Sequence, residues 1–161
     1  MSEITATTLV AEAGSPYVSL HRDFDAPRDL VFALLTDPEQ IPYWWGPSEL
    51  TTVVDTMEPR PGGSWRFVHT APDGAEHGFH GVYHDVSGPD RIVQTFEYEG
   101  APGHAALETL VLADLGGGRT RMSQTSVFQS LEDRDAVIAS GMESGAKETW
   151  ERFAELLAKQ S

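Results

Sequence analysis

Residues 130–161 run SLEDRDAVIASGMESGAKETWERFAELLAKQS, and the rest of the chain reads as a wrapper for them. Ser130 and Asp133 make an S-x-x-D capping box ahead of an apolar run. Leu131, Val137, Ile138, Met142, Ala146, Thr149, Trp150, Phe153, Leu156 and Leu157 recur at three- and four-residue steps, so a helix gathers them into one stripe. Glu143, Lys147, Glu148, Glu151, Arg152 and Glu155 cover the other face. A helix of this length buries its stripe against a broad surface, which the preceding sequence has to supply. Gly141 and Gly145 interrupt the pattern. Glycine costs about 1 kcal/mol in a helix interior relative to alanine. The pair marks a turn between two helices or space beside the backbone for a bound molecule, and both can hold.

Upstream, turn chemistry punctuates six strands: Leu50 to Met57, Ser64 to Thr70, Glu76 to Val86, Arg91 to Glu99, Ala105 to Leu115 and Arg119 to Phe128. Pro72-Asp73-Gly74 and Gly116-Gly117-Gly118 are two of the turns. Short loops between successive strands imply an antiparallel meander. Earlier still, Tyr17 to Asp25 alternates apolar Val18, Leu20 and Phe24 with polar neighbours, as a half-buried strand does. Pro27 opens a helix at its first position, with Leu30, Val31, Leu34 and Leu35 on its buried face. Asp37-Pro38 starts a second, short helix that ends at Trp44-Trp45-Gly46-Pro47. Residues 1–15 form a loose arm or an extra edge strand.

Strand, two small helices, six strands and a long helix make an α+β domain spanning residues 1–161. Its seven-stranded antiparallel sheet curves round the C-terminal helix. A cavity remains between sheet and helix wherever the facing side chains do not fill it.

A chain of 161 residues suits one domain with a sizeable core. No run approaches the roughly 18 apolar residues of a membrane span. The N-terminus lacks the basic start and apolar core of a signal peptide, which predicts a cytoplasmic protein. The absence of cysteine excludes disulfide and thiolate chemistry. Net charge is −14, from 25 acidic and 11 basic residues, so the basic stripe that nucleic acid requires is missing. The acid is dispersed and serves solubility.

Phe24-Asp25-Ala26-Pro27 through Val31, Thr36-Asp37-Pro38 and Trp44-Trp45-Gly46-Pro47 resemble the opening of the START-related helix-grip superfamily of polyketide cyclases and pollen-allergen-like proteins. Arg60-Pro61-Gly62-Gly63-Ser64-Trp65, Gly81-Val82, Pro89 to Val93, Gly117 to Thr120 and Ser140 to Glu143 resemble the branch named for the C-terminal domain of the heat-shock ATPase activator. The resemblance runs from about residue 17 to residue 159. It implies a cavity behind the long helix, lined by the concave face of the sheet. The superfamily includes ligand carriers, cyclases and hydrolases, so its fold does not dictate one activity.

Trp44 and Trp45 stand at a rim of that cavity, and neighbours on a helix point about 100° apart. One belongs to the core and the other plugs the rim or touches a ligand. His80 and His84 share a strand face but lie about 13 Å apart, too far to grip one ion. His77 has the opposite parity from His80. His69 faces His77 or His80 across the hairpin, according to register. No helical H-x-x-x-H exists, and no metal or cofactor is predicted. No G-x-S-x-G, P-loop or dinucleotide fingerprint is present.

The predicted role is small-molecule binding, with an apolar or aromatic ligand between sheet and helix. Trp65, Phe67, Phe96 and Leu110 supply apolar burial, and Tyr83, Gln94, Glu108 and Gln124 orient the ligand by hydrogen bonds. His69 and His80 are further contacts, and Met142, Gly145, Ala146 and Thr149 form the helix wall. Glu108 is the candidate general base, since a carboxylate in an apolar pocket has a raised pKa. Its other reading is a solvated group at the mouth, or a partner of Arg66 or Arg121. The alternatives in function are a cyclase, dehydratase or hydrolase acting through Glu108, and a co-chaperone-like regulator of a heat-shock ATPase. Edge strands and the N-terminal arm make a homodimer plausible.

Overall fold

The structure is a computed structural model and describes residues 3–160. Strands β1 (Thr8–Val10) and β2 (Tyr17–Phe24) lead into helix α1 (Arg28–Leu35) and a single 3-10 turn (Ile41–Tyr43). Six strands follow: β3 (Thr51–Met57), β4 (Ser64–Thr70), β5 (Glu76–Ser87), β6 (Arg91–Tyr98), β7 (Ala106–Gly116) and β8 (Arg119–Val127). Helices α2 (Leu131–Ala139) and α3 (Met142–Gln160) end the chain. The strands make one antiparallel sheet in the order β1-β2-β8-β7-β6-β5-β4-β3.

The sheet has eight strands rather than seven. The added one is the N-terminal arm, which pairs Thr8 with His21 and Val10 with Ser19. Asp23 holds the arm through both its side chain and its backbone: Ile4 N–H donates to Asp23 Oδ2 at 2.8 Å, and Asp23 N–H donates to Ile4 O at 2.7 Å. Arg134 of α2 clamps it from the other side, donating to the carbonyls of Glu12 and Ser15. Such bonds leave no apolar alternation in the sequence, which is why the arm could be read two ways.

Two smaller expectations change. The second helix is only a 3-10 turn, because Pro42 lacks the N–H that an α-helix would need there. Pro27 is the N-cap of α1 and not its first helical residue, with extended ψ of 156° and its carbonyl accepting from Leu30 and Val31.

The C-terminal segment is two helices. Ser130 caps the first as expected, its side chain accepting from Asp133 N–H at 3.1 Å. Gly141 turns the chain at φ +98°, a left-handed conformation that glycine adopts without strain. Only α3 delivers the stripe to the main core, through Trp150, Phe153 and Leu157. Leu131 and Val137 of α2 are exposed, and the buried residue of that helix is Arg134. Ile138 and Met142 pack instead on a second small cluster of Val18, Ala106 and Phe128.

Phe153 sits at the centre of the grip. Its ring centroid is 5.2 Å from Phe24, 4.9 Å from Trp44 and 5.4 Å from Trp150. Burying each such side chain contributes about 1.5–3 kcal/mol. The other face of α3 pins the loop after the 3-10 turn. Arg152 donates to the carbonyls of Tyr43 and Gly46, and Glu148 accepts from Ser48 N–H at 2.6 Å. No helix among the described residues is long and apolar enough to cross a membrane.

Candidate ligand cavity

A cavity of about 440 Å³ lies between the inner face of the sheet and α3. Alternation along β4 turns Trp65, Phe67 and His69 inward. Trp45 lies over them, its ring centroid 5.0 Å from Phe67, 4.8 Å from His69 and 5.3 Å from Phe79 of β5. Trp44 turns the other way and stacks on Trp150 at 5.3 Å. The two adjacent tryptophans therefore join helix to sheet. Trp44 is buried and Trp45 half-buried, and both line the cavity.

One polar row crosses the opposite wall. Register places Tyr83 beside Gln94, Gln94 beside Glu108, and Glu108 beside Ser126, on four successive strands. Gln94 Nε2 donates to Glu108 Oε1 at 3.2 Å, and Ser126 Oγ donates to Oε2 at 3.3 Å. Gln124 adds a further hydrogen bond. Burial drives the Glu108 carboxyl above its ordinary range, outweighing these donors, which pull it down. Burial also raises the Tyr83 phenol. Leu110 lies next along the strand on the same face, opposite Gln124. The ion pairs considered for Glu108 are made elsewhere. Arg66 binds Glu99 at 2.8 Å, and Arg121 holds Asp23 at 2.7 Å.

His69 is the second polar feature of the lining. It is 5 % exposed, and its Nε2 has no hydrogen-bond partner in the protein. Burial first, then the charges of His77 and Arg152, push its pKa down to about 4, so the ring is neutral near pH 7. Gly46 makes room for it: a Cβ there would lie 2.4 Å from Nε2, and φ of +85° disfavours any other residue. Register pairs His69 with His77, which settles the hairpin alternative.

His80 is a correction. Phe79 and Tyr83 of β5 line the cavity, so His80, of the opposite parity, faces outward, where its Nδ1 lies 2.9 Å from Glu99 Oε2. It does not line the cavity. Every other residue expected there does, including Phe96 on β6 and Met142, Gly145, Ala146 and Thr149 on the helix side. A Cβ at Gly145 would meet nothing within 4 Å, so this position is open to the cavity. Gly141 is thus the turn, and Gly145 leaves open space beside α3.

Sequence reasoning missed Ser126 and Phe79, although each shares parity with a residue it did select, Gln124 and Tyr83 respectively. Thr36 and Ile41 also line the cavity. No periodicity points to them, because the loop after α1 is carried there by tertiary packing alone.

An antiparallel sheet gripping a C-terminal helix, with a cavity between them, defines the helix-grip class. Residues 25–158 match the family described as Activator of Hsp90 ATPase homolog 1-like protein, and the chain belongs to that family. It is similar to the crystal structure of a Rhodobacter sphaeroides protein, with TM-score 0.88 and 27% identity over 96% of this chain and 99% of that one. It is equally similar to a solution structure of an Arthrobacter aurescens protein, with TM-score 0.88 and 28% identity over 96% of this chain and 93% of that one. CalU16 from Micromonospora echinospora shares the fold, with TM-score 0.64 and 18% identity over 97% of this chain and 88% of that one. No curated protein matches the chain.

Proposed function

We propose that this is a cytoplasmic small-molecule-binding protein that holds an apolar or aromatic ligand between the sheet and α3. The observation that carries this reading is the pairing of an aromatic-lined cavity with one polar row, Tyr83, Gln94, Glu108 and Ser126, on a single wall. Apolar burial supplies affinity at about 25 cal/mol per Å², and a few fixed polar groups supply orientation. All four tryptophans line the cavity, so their emission reports occupancy without a label.

The test is native mass spectrometry on protein purified without detergent, joined to tryptophan fluorescence titration with a panel of aromatic compounds. A stoichiometric mass released on unfolding, or saturable quenching, supports the reading. A bare chain mass together with unchanged emission across the panel would overturn it.

Glu108 favours a second reading, an enzyme of the cyclase, dehydratase or hydrolase type. A carboxyl with a raised pKa can move a proton near neutrality. On this reading Glu108→Gln abolishes turnover of a ketide-like or aromatic substrate while affinity stays within a few-fold. Regulation of a heat-shock ATPase rests on the family description alone, and saturable binding to such an ATPase is its test.

A further inference from the structure

We infer that the cavity takes an aromatic ligand that carries a protonated nitrogen, with the carboxylate of Glu108 as its counter-ion. This names the ligand class of the binding function proposed above and rests on it. Three observations support the assignment.

The first is the position of the carboxylate. Glu108 lines the cavity and is half-buried rather than sealed, as are Gln94 and Gln124 beside it. An ionised carboxylate has about four lone-pair sites. Gln94 and Ser126 each donate to one oxygen, and Gln124 adds a further bond. These donors are neutral, so they leave an acceptor site and the negative charge to a molecule entering the cavity. An ion pair away from water is favourable only when further hydrogen bonds satisfy the remaining lone pairs, and this row supplies them.

The second is the charge inventory. Among the described residues of the lining there is no lysine and no arginine, and the titratable side chains are His69, Tyr83 and Glu108. Burial holds His69 and Tyr83 in their neutral forms near pH 7. The helix side contributes Met142, Gly145, Ala146 and Thr149, none of which ionises. Glu108 therefore faces no cationic side chain across the cavity, and a ligand cation offsets the cost of its desolvation. A neutral amine meeting the protonated acid gives the same pair, by transfer of one proton from oxygen to nitrogen. A carboxylate or phosphate entering the cavity would lose its hydration and meet no cation to replace it. The net charge of −14 further favours the approach of cations.

The third is the place of the aromatic rings. Glu108 is directly opposite Gln94, and Phe96 is two residues further along β6 on the same face. Diagonal neighbours of this kind lie about 7–8 Å apart. The ring centroid of Phe96 is 5.9 Å from that of Trp65 and 5.6 Å from that of Phe79. A bicyclic aromatic packed against these rings brings a nitrogen on a one-carbon arm to the carboxylate. Aromatic rings beside a cation also attract it through their π faces.

The experiment is equilibrium dialysis of the full chain at pH 7 against three probes of nearly equal shape: 2-naphthylmethylamine, 2-naphthalenemethanol and 2-naphthoate. Wild type should bind the amine at least about tenfold more tightly than the alcohol, the effect of one hydrogen bond between charged groups, and the carboxylate at least about tenfold more weakly than the alcohol. Glu108→Gln keeps the shape of the side chain and removes its charge. It should bring the ratio of amine to alcohol affinity down to about one. Glu155→Gln removes the same charge from the exposed face of α3, outside the lining, and should leave that ratio within about twofold of wild type. In about 0.5 M sodium chloride the wild-type ratio should fall by less than about threefold, because a pair inside the cavity is screened much less than surface charge. Circular dichroism melts identify a variant that has not folded, and the wild-type ranking with its persistence in salt decides the proposal without any variant. Equal affinity for amine and alcohol, or a preference that survives Glu108→Gln, would overturn the role of Glu108 and leave the cavity intact. A preference lost in salt or in Glu155→Gln would assign it to the surface field and overturn the proposal. Tightest binding of 2-naphthoate would overturn the cationic class. Failure of all three probes to bind would overturn the binding function itself.

Discussion

Glu99, the residue that follows β6, and Glu108 of β7 have opposite electrostatic fates. Glu99 lies on the outer face, accepts two hydrogen bonds from Arg66 at 2.8 Å, and lies 2.9 Å from Nδ1 of His80. These partners pull its pKa down to about 2. Glu108 lies on the inner face among neutral donors, and burial raises it. The two histidines differ in their neighbours. His80 sits among Glu97 and Glu99, while His69 is neutral and unpartnered at Nε2. Residue type does not decide the chemistry of these groups. The sheet separates a charged outer surface from a lining without lysine or arginine, and the side on which a residue falls sets its state.

The largest test of this contrast is the pH dependence of stability. His69 has its folded pKa lowered from 6.5 to about 4. Below pH 6.5 the unfolded chain takes up a proton that the folded chain refuses, so the stability present above that pH is lost as the pH falls toward 4. The expected loss is about 3 kcal/mol from this group. Urea unfolding of wild type and His69→Phe between pH 7 and pH 4 measures it as the difference in slope. Parallel curves would show that His69 is not held neutral.

Glu108 works in the other direction. Its folded pKa is raised, so its contribution is present below the ordinary carboxylate value of 4.5 and is lost as pH rises through the folded value. Glu108→Gln should therefore be more stable than wild type at pH 8, by about 2–4 °C in Tm, with the gap closing toward pH 4. A variant less stable than wild type at pH 8 would mean that the ionised carboxylate is better satisfied than its row of neutral partners indicates.

On the outer face the effects shrink. Glu99→Gln should lower Tm by at most about 2 °C, because exposed ion pairs contribute little and salt screens them. The difference should vanish in 1 M sodium chloride, and a salt-independent loss would place this pair in the core. Smallest of all, His80→Ala should leave the affinity for any cavity ligand within twofold by fluorescence titration, since it does not line the cavity. A larger change would undo the separation of the two faces.

Much of this arrangement could be read from residues alone. Strand β4 was expected at Ser64 to Thr70 and lies there, because aromatic alternation and flanking turns define both its ends. Within it, the shared parity of Trp65, Phe67 and His69 follows from the period of two. Glu108 stood out as a carboxylate in phase with Leu110 and Leu112. His80 could not be placed in the same way. Parity groups it with His84 and separates it from Phe79 and Tyr83, but parity does not say which group faces in.

Element order, turn positions, the aromatic strands and the amphipathic helix face were set by local chemistry, since each depends on residues close together in the chain. The tertiary structure decided everything that depends on register or approach. It paired Gln94, Glu108 and Ser126 across three strands, brought Gly46 against His69, and bound the arm at Thr8–Val10 as an eighth strand. Those contacts join distant segments, and the free energy that selects them comes from packing the whole sheet round Trp150, Phe153 and Leu157.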